Sequence, residues 1–388
     1  MITPRGENME IIGIIAEYNP FHNGHDYHLK EIKKKHPNSL LILVMSGNFT
    51  QRGDTSIINK WDKTKIALAH NIDLVIELPF YFACNSADLF AKGSIAILNE
   101  LKATHLIFGS ESNNINELQN IIEIETKKEF KEKLKEELNK GNSYPKAYDN
   151  ALQTYNLHIK EPNDLLGLSY LREIKNTNSA IIPETIKRTN SYHDQQITKI
   201  SSASAIRNAI KNKQTVNEAI PEETKKYLNQ PLYYLDNYFP LLKYKIISEK
   251  TLKSFLGIEE GLESRIKQSI IKSTNLEELI ENIKTKRYTY NRIKRTLVYI
   301  LCNIKKEDIK TNNLKYIRIL GFNPKGQQYL HQIKKDINLP IITTYKNDKN
   351  NLLNIDTKTT HIYYSIQNEK DKRQLMEQEI KQTPIIHK

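Results

Sequence analysis

Four short apolar runs, Ile11 to Ala16, Leu40 to Met45, Leu74 to Leu78 and His105 to Phe108, stand out along the first part of the chain. Between them lie His25 to His36, Trp61 to His70 and Ser86 to Leu101, where apolar residues recur at intervals of three and four. Continuous apolar runs of this length predict buried strands, and the three-to-four spacing predicts amphipathic helices. Their alternation gives βαβ units and a parallel sheet. A charged stretch, Asn116 to Asn139, predicts a solvated helix that Gly141 ends. A further strand-like passage, Ile181 to Arg188, runs into ISSASAIRNAI, and parallel-strand patterning stops near residue 215. Beyond it, Leu276 to Ile283, Tyr290 to Ile304 and Gly326 to Ile337 predict helices, with one late apolar run at Leu339 to Thr343. The expectation is an α/β domain over residues 9–215 and a mainly α-helical domain over 216–388.

With 388 residues, the chain exceeds what one hydrophobic core usually supports, which fits two domains. Hydrophobic residues make up 38% and charged residues 27%, and no apolar run approaches the ~18 residues of a membrane span. The opening MITPRGEN precedes Met9 and lacks the apolar stretch of a secretory signal. The two cysteines, Cys84 and Cys302, are far apart and lack partners at metal-ligand spacing, so a reducing, cytosolic setting is expected. A net charge of +13 suits a polyanionic partner, because basic side chains displace condensed counterions from phosphates. Charge alone does not decide this, since Lys, Asn and Ile are abundant together, as biased base composition also produces.

The informative segment is EYNPFHNGH, Glu17 to His25, directly after the first strand and directly before the first helix. Pro20 and Gly24 allow a tight turn, and a helix start offers free N–H groups and partial positive charge to a phosphate. His22 and His25 can then both donate to triphosphate oxygens as charge builds on a leaving pyrophosphate, while Gly24 gives the nucleotide room. A second segment, ISSASAIR from Ile200 to Arg207, places Ser201, Ser202 and Ser204 at a predicted helix start and Arg207 within that helix. The hydroxyls suit capping and phosphate binding alike.

HNGH and ISSASAIR resemble the HxGH and ISSTxIR signatures of the HIGH-type nucleotidyltransferase superfamily, which implies a Rossmann-like fold and ATP chemistry at the α-phosphate. Where that motif has threonine, Ala203 or Ser204 stands here, so no single hydroxyl is assigned. EYNPFHNGH, MSGNFTQRG, KWDKTKIAL, DLVIELP and FGSE, with KRYTYNRIKRTL and IRILGFNPKG further on, are similar to the tRNA(Met) cytidine acetate ligase family over nearly the whole chain. That resemblance implies activation of acetate by ATP, with Mg2+, to acetyl-adenylate. It also implies acetyl transfer to N4 of the wobble cytidine of elongator tRNA(Met). By the same resemblance, ATP contacts fall on Ile15, Ala16, Glu17, Tyr18, Asn19, Pro20, Phe21, His22, Asn23, Gly24, His25 and His28, on Gly109 in FGSE, Asn163 in PNDLLG and Arg188 in IKRTNSYHD. His22, His25, Ser202 and Arg207 are the candidate catalytic residues.

Between Lys284 and Arg295 lie six basic residues, no acidic ones, and Tyr288 and Tyr290. This suits phosphate contacts with aromatic faces for unpaired bases, with Lys286, Arg287, Arg292 and Arg295 as the tRNA candidates. The alternative is a solvated basic face. Arg52, in the loop after the second strand, is placed to meet acetate or phosphate. Trp61 and Asp62 suit structural roles, and Asp88 suits either the site or a helix start. His193 and Asp194 suit either a substrate or a structural hydrogen bond. Two other functions remain open from residues alone: an adenylyltransferase acting on a phosphorylated metabolite, and a non-catalytic RNA-binding protein.

Overall fold

A computed structural model describes residues 9–188, 197–286, 288–309 and 311–388. Its strands are β1 (Ile11–Ala16), β2 (Leu40–Ser46), β3 (Leu74–Leu78), β4 (His105–Ser110), β5 (Ile182–Lys187), β6 (Ile317–Phe322), β7 (Ile341–Ile342) and β8 (Ile385–Ile386). They form one sheet in the order β5-β4-β1-β2-β3-β6-β7, with β8 also on β6. β1 to β5 are mutually parallel, with Ile11 opposite Leu40 and His105 opposite Ile182. The chain winds outward from β1 through β2 to β3, then crosses back to β4 on the other side of β1. Connections therefore diverge above the carboxyl ends of β1 and β4, and such a crevice is where open α/β sheets bind ligands.

Burial on both faces explains the apolar strands. On one face Ile12, Ile14, Leu41 and Leu43 pack with Leu29 and Ile32 of the helix Asn23–Lys35 and with Ile66 and Leu68 of the helix Lys60–Ala69. On the other, Leu40, Ile42 and Val44 meet Phe90, Ile95 and Leu98 of the helix Ala87–Glu100 and Leu168 of the helix Pro162–Asn176. The charged stretch forms two helices, Ile115–Thr126 and Lys128–Asn139, because Lys127 between them is extended, with ψ 142°.

The chain beyond residue 215 is not helical throughout. Helices Phe239–Ser248, Leu262–Lys272, Leu276–Ile283 and Tyr290–Leu301 share a second core, but β6 then returns to the sheet antiparallel to β3, pairing Ile76 with Ile319 and Glu77 with Arg318. A six-residue segment, apolar but for Arg318, has no periodicity that separates strand from buried helix, so IRILGF could be placed only by its partner. The join is ionic as well as apolar. Lys60 Nζ lies 2.9 Å from both Glu77 and Glu379, and Arg318 lies 2.7 Å from Glu379 and 3.2 Å from Glu77, all four side chains at most 5% exposed. Among the described residues no helix is long and apolar enough to cross a membrane.

Candidate active site

β1 delivers the chain into the crevice at Ala16. In the turn that follows, Tyr18 adopts φ +47°, a left-handed conformation that side chains other than glycine disfavour. Asn19 holds this turn: its amide donates to Thr55 O at 3.1 Å and its Oδ1 accepts from Ile57 N at 2.8 Å. The Tyr18 and Phe21 rings pack edge to face at 4.8 Å beneath the histidines.

His22 caps the helix Asn23–Lys35. Its Nδ1 accepts from Gly24 N at 3.0 Å, and His25 Nδ1 accepts from His22 N at 3.2 Å. The two rings stack at 3.7 Å with 28° between planes. Because both Nδ1 atoms are acceptors, each neutral ring carries its proton on Nε2, leaving two parallel N–H donors. Gly24 serves this stack: a Cβ there would sit 2.9 Å from His22 Cε1, so the expected space for nucleotide is filled by the His22 ring itself. His22 is 4% exposed, so its ring is packed into the wall of the crevice and does not stand in open space. Burial, then Arg188 and Arg207, pulls its pKa down to about 3; burial, then Arg188, takes His28 to about 4. Burial and His22 hold His25 well below the ordinary range. His28 Nε2 is buried and has no hydrogen-bond partner among the described residues. Asn23 is a tie between motifs, its amide donating to Lys199 O at 2.8 Å and Glu218 O at 2.7 Å.

The helix Ala203–Lys211 supplies a second wall. Ser202 caps it, accepting from Ala205 N at 3.2 Å, and its Oγ lies 3.1 Å from Ser204 Oγ. Ser201 faces a local turn instead, accepting from Thr198 N at 2.8 Å. Arg207 Nη1 donates to Asn19 O at 2.7 Å, joining the far motif to the β1 turn. On the β4 side, Arg188 N donates to Ser110 O at 3.0 Å. A Cβ on Gly109 would meet Arg188 Cγ at 3.3 Å, so the missing side chain admits this arginine. Asn163 donates to Glu111, which also accepts from Asp164 N at 3.1 Å. Glu111 and Asp164 border a cavity of about 440 Å³ with Arg188, His158 and Lys160, a volume that suits a small ligand.

Two cations on the β2 side complete the site. Arg52, lowered by burial, has Glu17, Arg207, Arg188 and Glu111 as its charged neighbours. Lys63 is fully buried, and its Nζ donates to Glu17 O at 2.9 Å and to Ser46 O and Gly47 O at 2.8 Å each. Burial lowers it to about 7 against the pull of Glu17 and Glu77, while three carbonyls match the three ammonium protons. Neither Lys63 nor Glu111 carries a signal of its own in the sequence beyond its place in a recognised motif.

Other candidates lie elsewhere. Asp88 accepts from Arg172 at 2.8 Å, and Trp61 is 1% exposed in the core. His193, Asp194 and Arg287 fall outside the described residues. Lys286 is exposed, whereas Arg292 pairs with Glu259 and lies over Tyr288. Tyr288 is 4% exposed and donates to Glu260 O at 2.7 Å, so it is no free face for a base. Arg295 Nη1 donates to Gln51 O at 3.2 Å.

A parallel sheet with stacked histidines at a helix start, facing arginines from two further elements, defines a HIGH-type nucleotidyltransferase. The family model described as HIGH Nucleotidyl Transferase matches residues 9–379. The tRNA(Met) cytidine acetate ligases of Geobacillus sp. (strain WCH70) and Oceanobacillus iheyensis are 38% and 40% identical to the chain, over 97% of it and 100% of each relative. The crystal structure of Thermotoga maritima TmcAL bound with alpha-thio ATP superposes with TM-score 0.88 at 32% identity, over 97% of this chain and 99% of that one. The chain belongs to the tRNA(Met) cytidine acetate ligase family.

The histidine shifts carry a pH consequence. Their folded pKa values lie below that of a free imidazole, so the unfolded chain binds more protons as pH falls below about 6.5. The stability this contributes is complete above about 6.5 and is lost on the way down toward about 4 and 3, the values of His28 and His22. Acid titration of the urea midpoint should therefore show a falling limb between pH 6.5 and 4, shallower in His28→Asn. An equal slope in that variant would remove His28 from the account.

Proposed function

We infer that this protein activates acetate with ATP to acetyl-adenylate and then acetylates N4 of the wobble cytidine in elongator tRNA(Met), forming N4-acetylcytidine. The observation that carries the reading is the stacked, neutral His22 and His25 pair, with Arg188 and Arg207 as charged neighbours of His22, at the divergence of β1 and β4. In the first step an acetate oxygen attacks the α-phosphorus and pyrophosphate leaves. His22 and His25 would donate from Nε2 to the departing phosphates, with His28 as a further donor. The Asn23–Lys35 helix start and the Ser202–Ser204 pair add dipoles of the same sense. Because the rings are neutral and already oriented, little reorganisation accompanies the charge shift. The Gly109 side, with Arg188 and Asn163, would take the nucleoside. In the second step cytidine N4 attacks the acyl carbon, AMP leaves and N4 loses a proton. An unpaired anticodon base reaches such a crevice without opening a duplex.

Among the described residues no three His, Cys, Asp or Glu side chains converge as a metal cage. Glu17 accepts from Gln51 N at 2.6 Å and Glu111 holds the 163–164 turn. The described residues thus offer no preassembled magnesium site, and Mg2+ would be held chiefly by phosphate oxygens and water, as is usual for nucleotide-borne magnesium.

Labelled acetate and ATP without tRNA should yield enzyme-bound acetyl-adenylate, and a tRNA chase should move the acetyl group to the RNA. Exchange of pyrophosphate that requires a phosphomonoester instead of acetate would mark the adenylyltransferase alternative. Transfer of AMP to the RNA would refute the two-step ligase.

A further inference from the structure

The basic segment 284–295 belongs to the region beyond residue 215, yet the helix Tyr290–Leu301 that it enters touches the site's wall. Gly53, at φ +74°, lies directly on the backbone of the helix Tyr290–Leu301: a Cβ would be 2.4 Å from Arg295 N and 2.7 Å from the Lys294 carbonyl carbon. Lys294 Nζ pairs with Asp54 Oδ2 at 2.6 Å, with the side chains only 12% and 28% exposed. Arg295 Nη1 donates to Gln51 O at 3.2 Å. The same turn faces the site on its other side, where Gln51 N donates to Glu17 Oε1 at 2.6 Å and Arg52 has Glu17, Arg207 and Arg188 as neighbours.

We propose that Lys294 and Arg295 are positioning residues of the adenylation site: by clamping the 51–54 turn they fix Arg52 and the Glu17 carboxylate against Arg188 and Arg207. The helix Tyr290–Leu301 then belongs to the first half-reaction, and Arg295 is removed from the tRNA-phosphate contacts. Charge-assisted hydrogen bonds in partly buried surroundings hold geometry tightly. A turn pinned to a helix backbone at glycine has no side chain between the two to act as a spacer. Misplacing a charged group of the site by about 1 Å costs up to ~100-fold in rate.

The test rests on the acetate-ligase reading and uses the full chain without tRNA. Arg295→Met removes the donor to Gln51, and Asp54→Asn opens the clamp from the loop side, so the second serves if the first fails to fold. Both should lower kcat/KM for acetate-dependent pyrophosphate exchange by about 10- to 100-fold. Arg295→Lys, which keeps one donor, should recover part of the loss, a rescue that a merely supportive role would not show. Tm should change little. Wild-type exchange in folded Arg295→Met and Asp54→Asn would overturn the proposal, and a separate binding measurement showing reduced tRNA affinity in Arg295→Met would restore Arg295 to the RNA surface. If the wild type shows no acetate-dependent exchange, the functional reading fails instead. ATP affinity of the same variants then decides the clamp, which weakened binding supports and unchanged binding refutes.

Discussion

Replacing His25 by Asn should lower acetate-dependent pyrophosphate exchange by about 10²–10³-fold, the usual cost of removing one preorganised donor to developing charge. The choice of Asn separates two roles that one ring combines. His25 Nδ1 accepts from His22 N at 3.2 Å and so helps cap the Asn23–Lys35 helix, while Nε2 is the donor proposed for a phosphate. The Asn side-chain oxygen lies near the Nδ1 position and keeps the cap, whose complete loss costs ~1 kcal/mol. It does not reach the Nε2 position. His25→Gln, whose amide does reach it, should retain more activity than His25→Asn despite a poorer cap. Steady-state exchange and urea unfolding on both variants check this, and near-normal exchange by folded His25→Asn would end the donor role. Since His22 is buried, His22→Ala should lose stability as well as activity, unlike a ring standing in open solvent.

Glu379→Gln should destabilise the folded chain by ~3–5 kcal/mol, the cost of breaking a buried ion set from one side. Burial by itself would raise the Glu379 pKa, but Arg318 and Lys60 hold it below the ordinary carboxylate value. Glu379 and Glu77 together balance Lys60 and Arg318, all four almost sealed from water. Neutralising Glu379 leaves two cations facing one anion. The urea midpoint should fall sharply in a single cooperative transition, because these residues tie β6 and the helix Glu369–Lys381 to the parallel sheet. A loss below ~0.5 kcal/mol, the range of ordinary surface substitutions, would mean that the C-terminal helix adds little to the sheet it touches.

Local sequence determined the first half of the sheet and the heart of the site. β1 and β3 fall on the predicted runs, and β2 and β4 on runs only slightly longer, because burial on two faces demands continuous apolar residues. HNGH and ISSASAIR announced themselves by residue type next to an element boundary, where helix-end chemistry is local. The tertiary structure alone decided how these pieces meet. Asn23 reaching Glu218, Arg207 reaching Asn19 and Arg295 reaching Gln51 are contacts between residues far apart in the chain, and no spacing rule encodes them. The same holds for β6, whose apolar run becomes an antiparallel strand only because β3 presents an open edge. Tyr288 shows the converse: residue type suggested a stacking surface, and packing against Glu260 removed it. Periodicity reports which side of an element is buried, whereas the partner that buries it is fixed by the chain's long-range path.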